Sequence, residues 1–197
     1  MSSLVRIREA AASIFTEPIV KMLVRTNVTP NALTWFGFAL ALVAAVFIAL
    51  EYLFVAGIVL LTAGLFDLLD GALARRTNKV TIFGGVLDST LDRLSEGVIL
   101  LGIIFLYTDK GSSRGVLLAA AVLLTSLLVS YIRAKAEATG IKCMVGLFTR
   151  PERVIILALG LLLNWLEIAL AIVTVFSFIT VGQRLIHVWC QVKDKRF

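Results

Sequence analysis

Four aspartates carry the spacing that could do chemistry in this chain. Asp67 and Asp70 stand three residues apart, and Asp88 and Asp92 stand four apart. On a helix either spacing puts both carboxylates on one face, so two such faces brought together would gather a charge near −4. Hard divalent cations such as Mg2+ or Mn2+ are the natural complement, because oxygen-only ligand sets suit them. Glu96 is a fifth acid in the same region, with Arg93 beside it. Gly71 follows Asp70, and Gly84-Gly85 precedes Asp88, so side-chain bulk is missing where a ligand or a second helix would approach. Arg75 offers a planar fork for phosphate and Thr81 a hydroxyl.

The elements that must position these acids lie in lipid. Apolar residues make up 59% of 197 positions, charged residues 16%, and mean hydropathy is +0.97. Soluble domains run about 45–50% apolar and about 25% charged. Apolar runs cover 39–50, 55–65, 97–106, 115–129, 154–163 and 168–179. With their flanks each approaches the roughly 20 residues that cross a bilayer as a helix. Strand-like alternation is missing, and lipid-exposed backbone must be helical or a closed barrel. The expected fold is therefore all-α, an integral membrane bundle of six transmembrane helices spanning 29–190. A carboxylate at mid-membrane costs roughly 2.5–3.5 kcal/mol, so four together, on the order of 10 kcal/mol, demand compensation.

Boundaries follow from punctuation. Thr29-Pro30 starts the first helix, and the next three are expected at about 52–74, 83–107 and 115–139, the last closed by Gly140. Thr149-Arg150-Pro151 starts the fifth, and the sixth runs over about 167–188. Residues 1–28 lack a signal-peptide core and cleavage site, while Leu4, Ile7, Ala11 and Ile14 recur at helical spacing. An amphipathic helix lying on the membrane surface is expected there, and a short cytoplasmic tail at 191–197. Cys143 and Cys190 read as free thiols, His187 as a packed or interfacial residue, and Trp35, Trp165 and Trp189 as interface anchors.

Asp67-x-x-Asp70-Gly71-x-x-Ala74-Arg75-x8-Gly84-x3-Asp88-x3-Asp92 resembles the signature of the CDP-alcohol phosphotransferase family at all eight fixed residues. The resemblance implies a phospholipid-synthesising enzyme that moves a phosphatidyl-type group from a CDP-lipid to an alcohol. It implies two divalent ions held by Asp67, Asp70 and Asp88, with Asp92 completing the site and acting as general base. It further implies that Gly71, Ala74, Arg75 and Thr81 meet the CDP moiety, joined by Asn31 and Thr34 from the first helix. A homodimer is implied as well.

The acceptor is read from a second group of segments. Ser130 to Glu137, Arg150-Pro151-Glu152-Arg153 and Gln183-Arg184-Leu185 look similar to those of the phosphatidylinositol-phosphate synthase branch. There the residues matching Arg133, Arg153 and Arg184 bind the phosphate of inositol 1-phosphate, as converging guanidiniums would. Glycerol 3-phosphate, the acceptor of a phosphatidylglycerophosphate synthase, also bears a phosphate and is the alternative. A cation or proton pathway would spread polar groups through the membrane depth, whereas these acids gather towards one side.

Sixteen of the 19 lysines and arginines fall at the termini and in the second and fourth connections, against Lys110 and Arg114 opposite and Arg93 within a helix. Both termini and the active site are therefore expected on the cytoplasmic side of the cell membrane. Net charge +6 suits an anionic leaflet and phosphate-bearing substrates, and no nucleic-acid partner is expected. A Lys110→Cys variant should be labelled by an impermeant maleimide only from outside intact cells. Labelling confined to the cytoplasmic face would reverse the orientation.

Overall fold

The computed structural model describes residues 17–26 and 28–194. Most of the surface helix expected over 1–28 lies outside the described residues, although 17–23 are helical, and so does the tail beyond 194. Six helices follow among the described residues: α1 (Pro30–Ala49), α2 (Leu53–Arg76), α3 (Ile82–Asp109), α4 (Ser113–Ala138), α5 (Arg150–Leu162) and α6 (Leu166–Asp194). No strand occurs among the described residues.

Each start has a local cause. Thr29 Oγ1 accepts from Ala32 N at 3.3 Å with Pro30 opening α1, and Thr81 Oγ1 accepts from Gly84 N at 2.9 Å at the head of α3. Ser112 does the same for α4 through Gly115 N at 3.2 Å. At α5 the Glu152 carboxylate reaches back to Thr149, accepting from its N at 2.8 Å and from its Oγ1 at 2.6 Å. Thr139 ends α4 and Gly140 follows with φ +77°, a conformation glycine adopts without steric cost.

The closest helix neighbours form a ring. α1 packs on α2 and α3, α2 on α5, α5 on α6, α6 on α4, and α4 on α3. One end of the ring is filled by apolar side chains, among them Ile48, Leu60, Ile103, Val122, Leu161 and Leu170, all fully or nearly fully buried. The other end holds the first turns of α1, α3 and α5 and the last turns of α2, α4 and α6, where the acids stand. Outward faces are apolar too: Val46, Phe54, Leu101, Leu117 and Leu124 are exposed, as suits a bundle solvated by lipid.

Length and composition qualify four helices as membrane spans: α1, α2, α4 and α6. α3 is long but carries Asp88, Asp92, Arg93 and Glu96. α5 has 13 residues and is about 20 Å long, against a hydrocarbon core of about 30 Å. The near-complete span expected around 154–163 is thus shortened. Asn164 turns to φ +58° and Trp165 N bonds back to Gly160 O at 2.8 Å, which stops the helix.

Helices approach most closely where glycine removes the side chain. A Cβ on Gly102 would stand 2.7 Å from the backbone oxygen of Ala45, so α1 and α3 meet main chain to main chain there. Gly102→Ala should destabilise the protein by about 1–3 kcal/mol through overpacking. Gly97→Ala, whose Cβ would meet Leu123 Cδ1 at 4.0 Å, should be neutral or slightly stabilising. Unfolding midpoints of the two variants in one detergent would test the contrast.

Candidate active site

α2 ends five residues before α3 begins, at the same end of the ring, which brings Asp67 of α2 to Asp88 and Asp92 of α3. Carboxylate oxygens of Asp67, Asp88 and Asp92 lie within 4.8 Å of one another, close enough to share a cation. Asp70 stands outside that trio. It is buried, and its Oδ2 accepts a 2.6 Å hydrogen bond from Thr34 Oγ1 on α1. Thr34, expected to meet the nucleotide, thus also orients an aspartate. Arg93 bonds the Ser89 carbonyl of its own helix rather than an acid.

The sequence offered the acids almost no neutralising partner, and the structure corrects this. Arg150, the first residue of α5, sends Nη1 to Asp67 Oδ2 at 2.6 Å and to Asp92 Oδ1 at 2.7 Å. It bridges α2 and α3 from a position 83 residues away from Asp67. Its segment was legible as a helix start and as part of the acceptor-branch resemblance, but with no role for Arg150 itself.

Two cavities open beside the acids. The first, about 160 Å3, is lined by all six residues expected at the CDP moiety: Asn31, Thr34, Gly71, Ala74, Arg75 and Thr81. A Cβ on Gly84 would come within 2.9 Å of Thr81 Oγ1 and 3.3 Å of Asn31 Oδ1, so glycine keeps this cavity open. The N-terminus of α3 faces it, a favourable end for phosphate. An apolar groove of about 200 Å3 between α2 and α5, walled by Leu61, Leu65, Leu68, Pro151, Val154 and Ile155, runs up to Asp67 and Arg150.

The second cavity, about 450 Å3, brings together the three expected arginines from α4, α5 and α6. Their circumstances differ. Arg133 is exposed and pairs with Glu137 at 2.9 Å along its own helix. Arg153 is 1% exposed and gives Nε and Nη2 to the two oxygens of Glu96 at 2.6 and 2.8 Å. Its Nη1 is buried without a partner among the described residues. Arg184 is buried, its Nε donating to Val145 O at 3.0 Å and its Nη1 to Val129 O. Glu96 is therefore the counterion of Arg153, a role the sequence did not suggest.

The described residues thus form an all-helical bundle with an acid cluster able to hold a divalent ion and a cavity on either side of it. The chain belongs to the CDP-alcohol phosphatidyltransferase family, whose model matches residues 27–183. It is 38% identical over 185 residues to the archaetidylinositol phosphate synthase of Methanothermobacter thermautotrophicus, covering 91% of each chain. It is 37% identical to the phosphatidylinositol phosphate synthase of Mycobacteroides abscessus, covering 90% of this chain and 84% of that one. The fold matches the crystal structure of Mycobacterium tuberculosis phosphatidylinositol phosphate synthase with CDP-DAG bound at a TM-score of 0.80 and 35% identity, covering 88% of this chain and 93% of that one. The same enzyme in complex with manganese and citrate matches at 0.79.

The Glu96–Arg153 pair makes a stability prediction. Truncating one partner leaves a buried charge uncompensated, so Glu96→Ala should cost about 3–5 kcal/mol. Glu96→Gln, which keeps one acceptor oxygen, should cost less. Thermal unfolding of both variants measures the difference.

Proposed function

We propose that this chain transfers a phosphatidyl-type group from a CDP-lipid, CDP-diacylglycerol or its ether analogue, to a hydroxyl of inositol 1-phosphate, releasing CMP and giving phosphatidylinositol phosphate. The observation that carries this reading is a shared wall: Asp88 and Gly85 line both the Arg75 cavity and the arginine-rich cavity. A donor in one and an acceptor in the other would meet at the carboxylates in reacting geometry. The CDP-DAG complex of the mycobacterial enzyme supports the donor, and the names of the relatives support the acceptor.

Asp67, Asp88 and Asp92 form an oxygen-only donor set that fits a divalent ion, Mg2+ or Mn2+; with Asp70, now bonded to Thr34, the four acids would hold two. The manganese complex of the mycobacterial enzyme supports an ion of this class. When bound, such ions supply charge neutralisation at the donor diphosphate. The chain's own groups do the rest. Asn31, Thr34, Gly71, Ala74, Arg75 and Thr81 hold the CDP end, with the lipid tails in the groove between α2 and α5. Arg133, Arg153 and Arg184 hold the acceptor phosphate, Arg153 through the nitrogen that Glu96 leaves free. Asp92 lines the acceptor cavity and takes the hydroxyl proton as the acceptor oxygen bonds the lipid-bearing phosphorus and the bond to CMP breaks.

The sixteen-to-two charge asymmetry supports six crossings, α3 and α5 included, with both termini and the site cytoplasmic. The family resemblance supports a homodimer.

Purified protein given CDP-diacylglycerol and a panel of alcohols should release CMP fastest with inositol 1-phosphate and slowly with free inositol. Faster turnover with glycerol 3-phosphate would sink the inositol assignment. Arg133→Ala, which unpairs only an exposed glutamate, should raise KM for inositol 1-phosphate about tenfold and leave that for the CDP-lipid unchanged. Asp92→Asn should keep CDP-lipid binding and lose turnover; near-normal turnover would remove Asp92 from the role of base.

A further inference from the structure

Arg150 faces two anionic partners. Its Nη1 stands between Asp67 Oδ2 and Asp92 Oδ1, at 2.6 and 2.7 Å. These carboxylates, with Asp88, are the group whose oxygens lie close enough to share a metal ion. A guanidinium nitrogen at hydrogen-bond distance from both oxygens fills the gap that an ion bridging them would take. Like charges forced together there would repel strongly in a partly desolvated site. One cation has to leave when the other arrives. The Arg150 side chain also lines the cavity of Arg133, Arg153 and Arg184, so a second seat lies within its reach. Its Nε is buried and without a partner among the described residues, a donor still to be satisfied.

We infer that Arg150 serves two partners in turn. It neutralises Asp67 and Asp92 until a divalent ion takes those oxygens, then swings into the basic cavity and joins the ligands of the acceptor's phosphate. This rests on the reading of that cavity as a site for a phosphate-bearing acceptor. Ion and acceptor binding become linked, and linkage is reciprocal: each tightens the other by the same factor. The acceptor site then reaches full strength only once the ion is seated.

The test uses the intact protein in one detergent, with Mn2+ and inorganic phosphate as probes. Mn2+ titrations followed by electron paramagnetic resonance should give Arg150→Gln an affinity about tenfold above the parent's, since a competing cation has gone. Phosphate binding is then measured by calorimetry without Mn2+ and at saturating Mn2+. The strengthening by Mn2+ should be about tenfold larger in the parent than in Arg150→Gln, the share of one charge-assisted hydrogen bond. Arg150→Lys keeps the charge without the fork and should fall between the two in both measurements, which guards against a folding defect in the glutamine variant. An arginine that never moves would give the two proteins the same strengthening, and that result overturns the inference. Equal or weaker Mn2+ binding by both variants overturns it alone, whatever the acceptor. Failure of the parent to bind phosphate at saturating Mn2+ overturns the phosphate-acceptor reading and this inference together. A preference for glycerol 3-phosphate in the turnover assay removes only inositol, because inorganic phosphate is the probe here.

Discussion

Charge inside a low-dielectric bundle has to be matched within a few ångströms, and the arrangement of α2, α3 and α5 follows from that requirement. Coulomb attraction that is worth about 1 kcal/mol between contacting ions in water grows several-fold in a partly desolvated protein site, and an unmatched carboxylate there is correspondingly costly. Asp67 and Asp92 are matched by Arg150, and Glu96 by Arg153. Both arginines come from the first turn of α5, three residues apart and so on one helix face. α5 is therefore the electrostatic keystone of the ring. Its N-terminus stands level with the acids, and Glu152 fixes the cap from which both guanidiniums project.

The two ends of the ring use glycine in opposite ways. At the apolar end glycine lets elements close up: added Cβ atoms on Gly102, Gly115 and Gly160 would meet Ala45 O at 2.7 Å, the Tyr107 ring at 2.4 Å and Ala169 Cβ at 2.4 Å. These contacts hold helices together by dispersion, since lipid gives no hydrophobic drive for one helix to find another. At the polar end Gly71, Gly84 and Gly85 line a cavity. One end is thus clamped shut and the other held open, so the bundle can admit polar ligands without losing its packing.

Much of the site was legible in the sequence because its spacing is local. Asp67 with Asp70, and Asp88 with Asp92, declare a shared face through helix geometry alone, and the residues expected around the CDP moiety do line one cavity. What could not be read depends on the order of helices around the ring. α2 neighbours α5, and α4 neighbours α6, pairings that no run of apolar residues encodes. Arg150 therefore looked like part of a helix start, and Glu96 like one acid among five. Thr34 was expected, by resemblance, at the nucleotide, but its bond to Asp70, 36 residues away, was not readable. The end of α5 agrees with the apolar run that stops at Leu163, and the left-handed turn at Asn164 supplies its cause.

Arg150 and Arg153 also show how burial separates two residues that the sequence presents as alike. Arg153 is 1% exposed and Glu96 7%, and the pair is bidentate, so both carboxylate oxygens accept from the one guanidinium. Breaking such a pair leaves two uncompensated charges, which makes it a fixture of the fold. It also keeps Glu96 apart from the three aspartates whose oxygens lie close enough to share a cation. Arg150 is 22% exposed and its carboxylate partners about as much, with one nitrogen shared between two acids. That pairing is strong enough to hold the acids together and open enough for a competing cation to enter. The same helix turn thus supplies a locked arginine and an exchangeable one, and the difference lies in a few ångströms of depth.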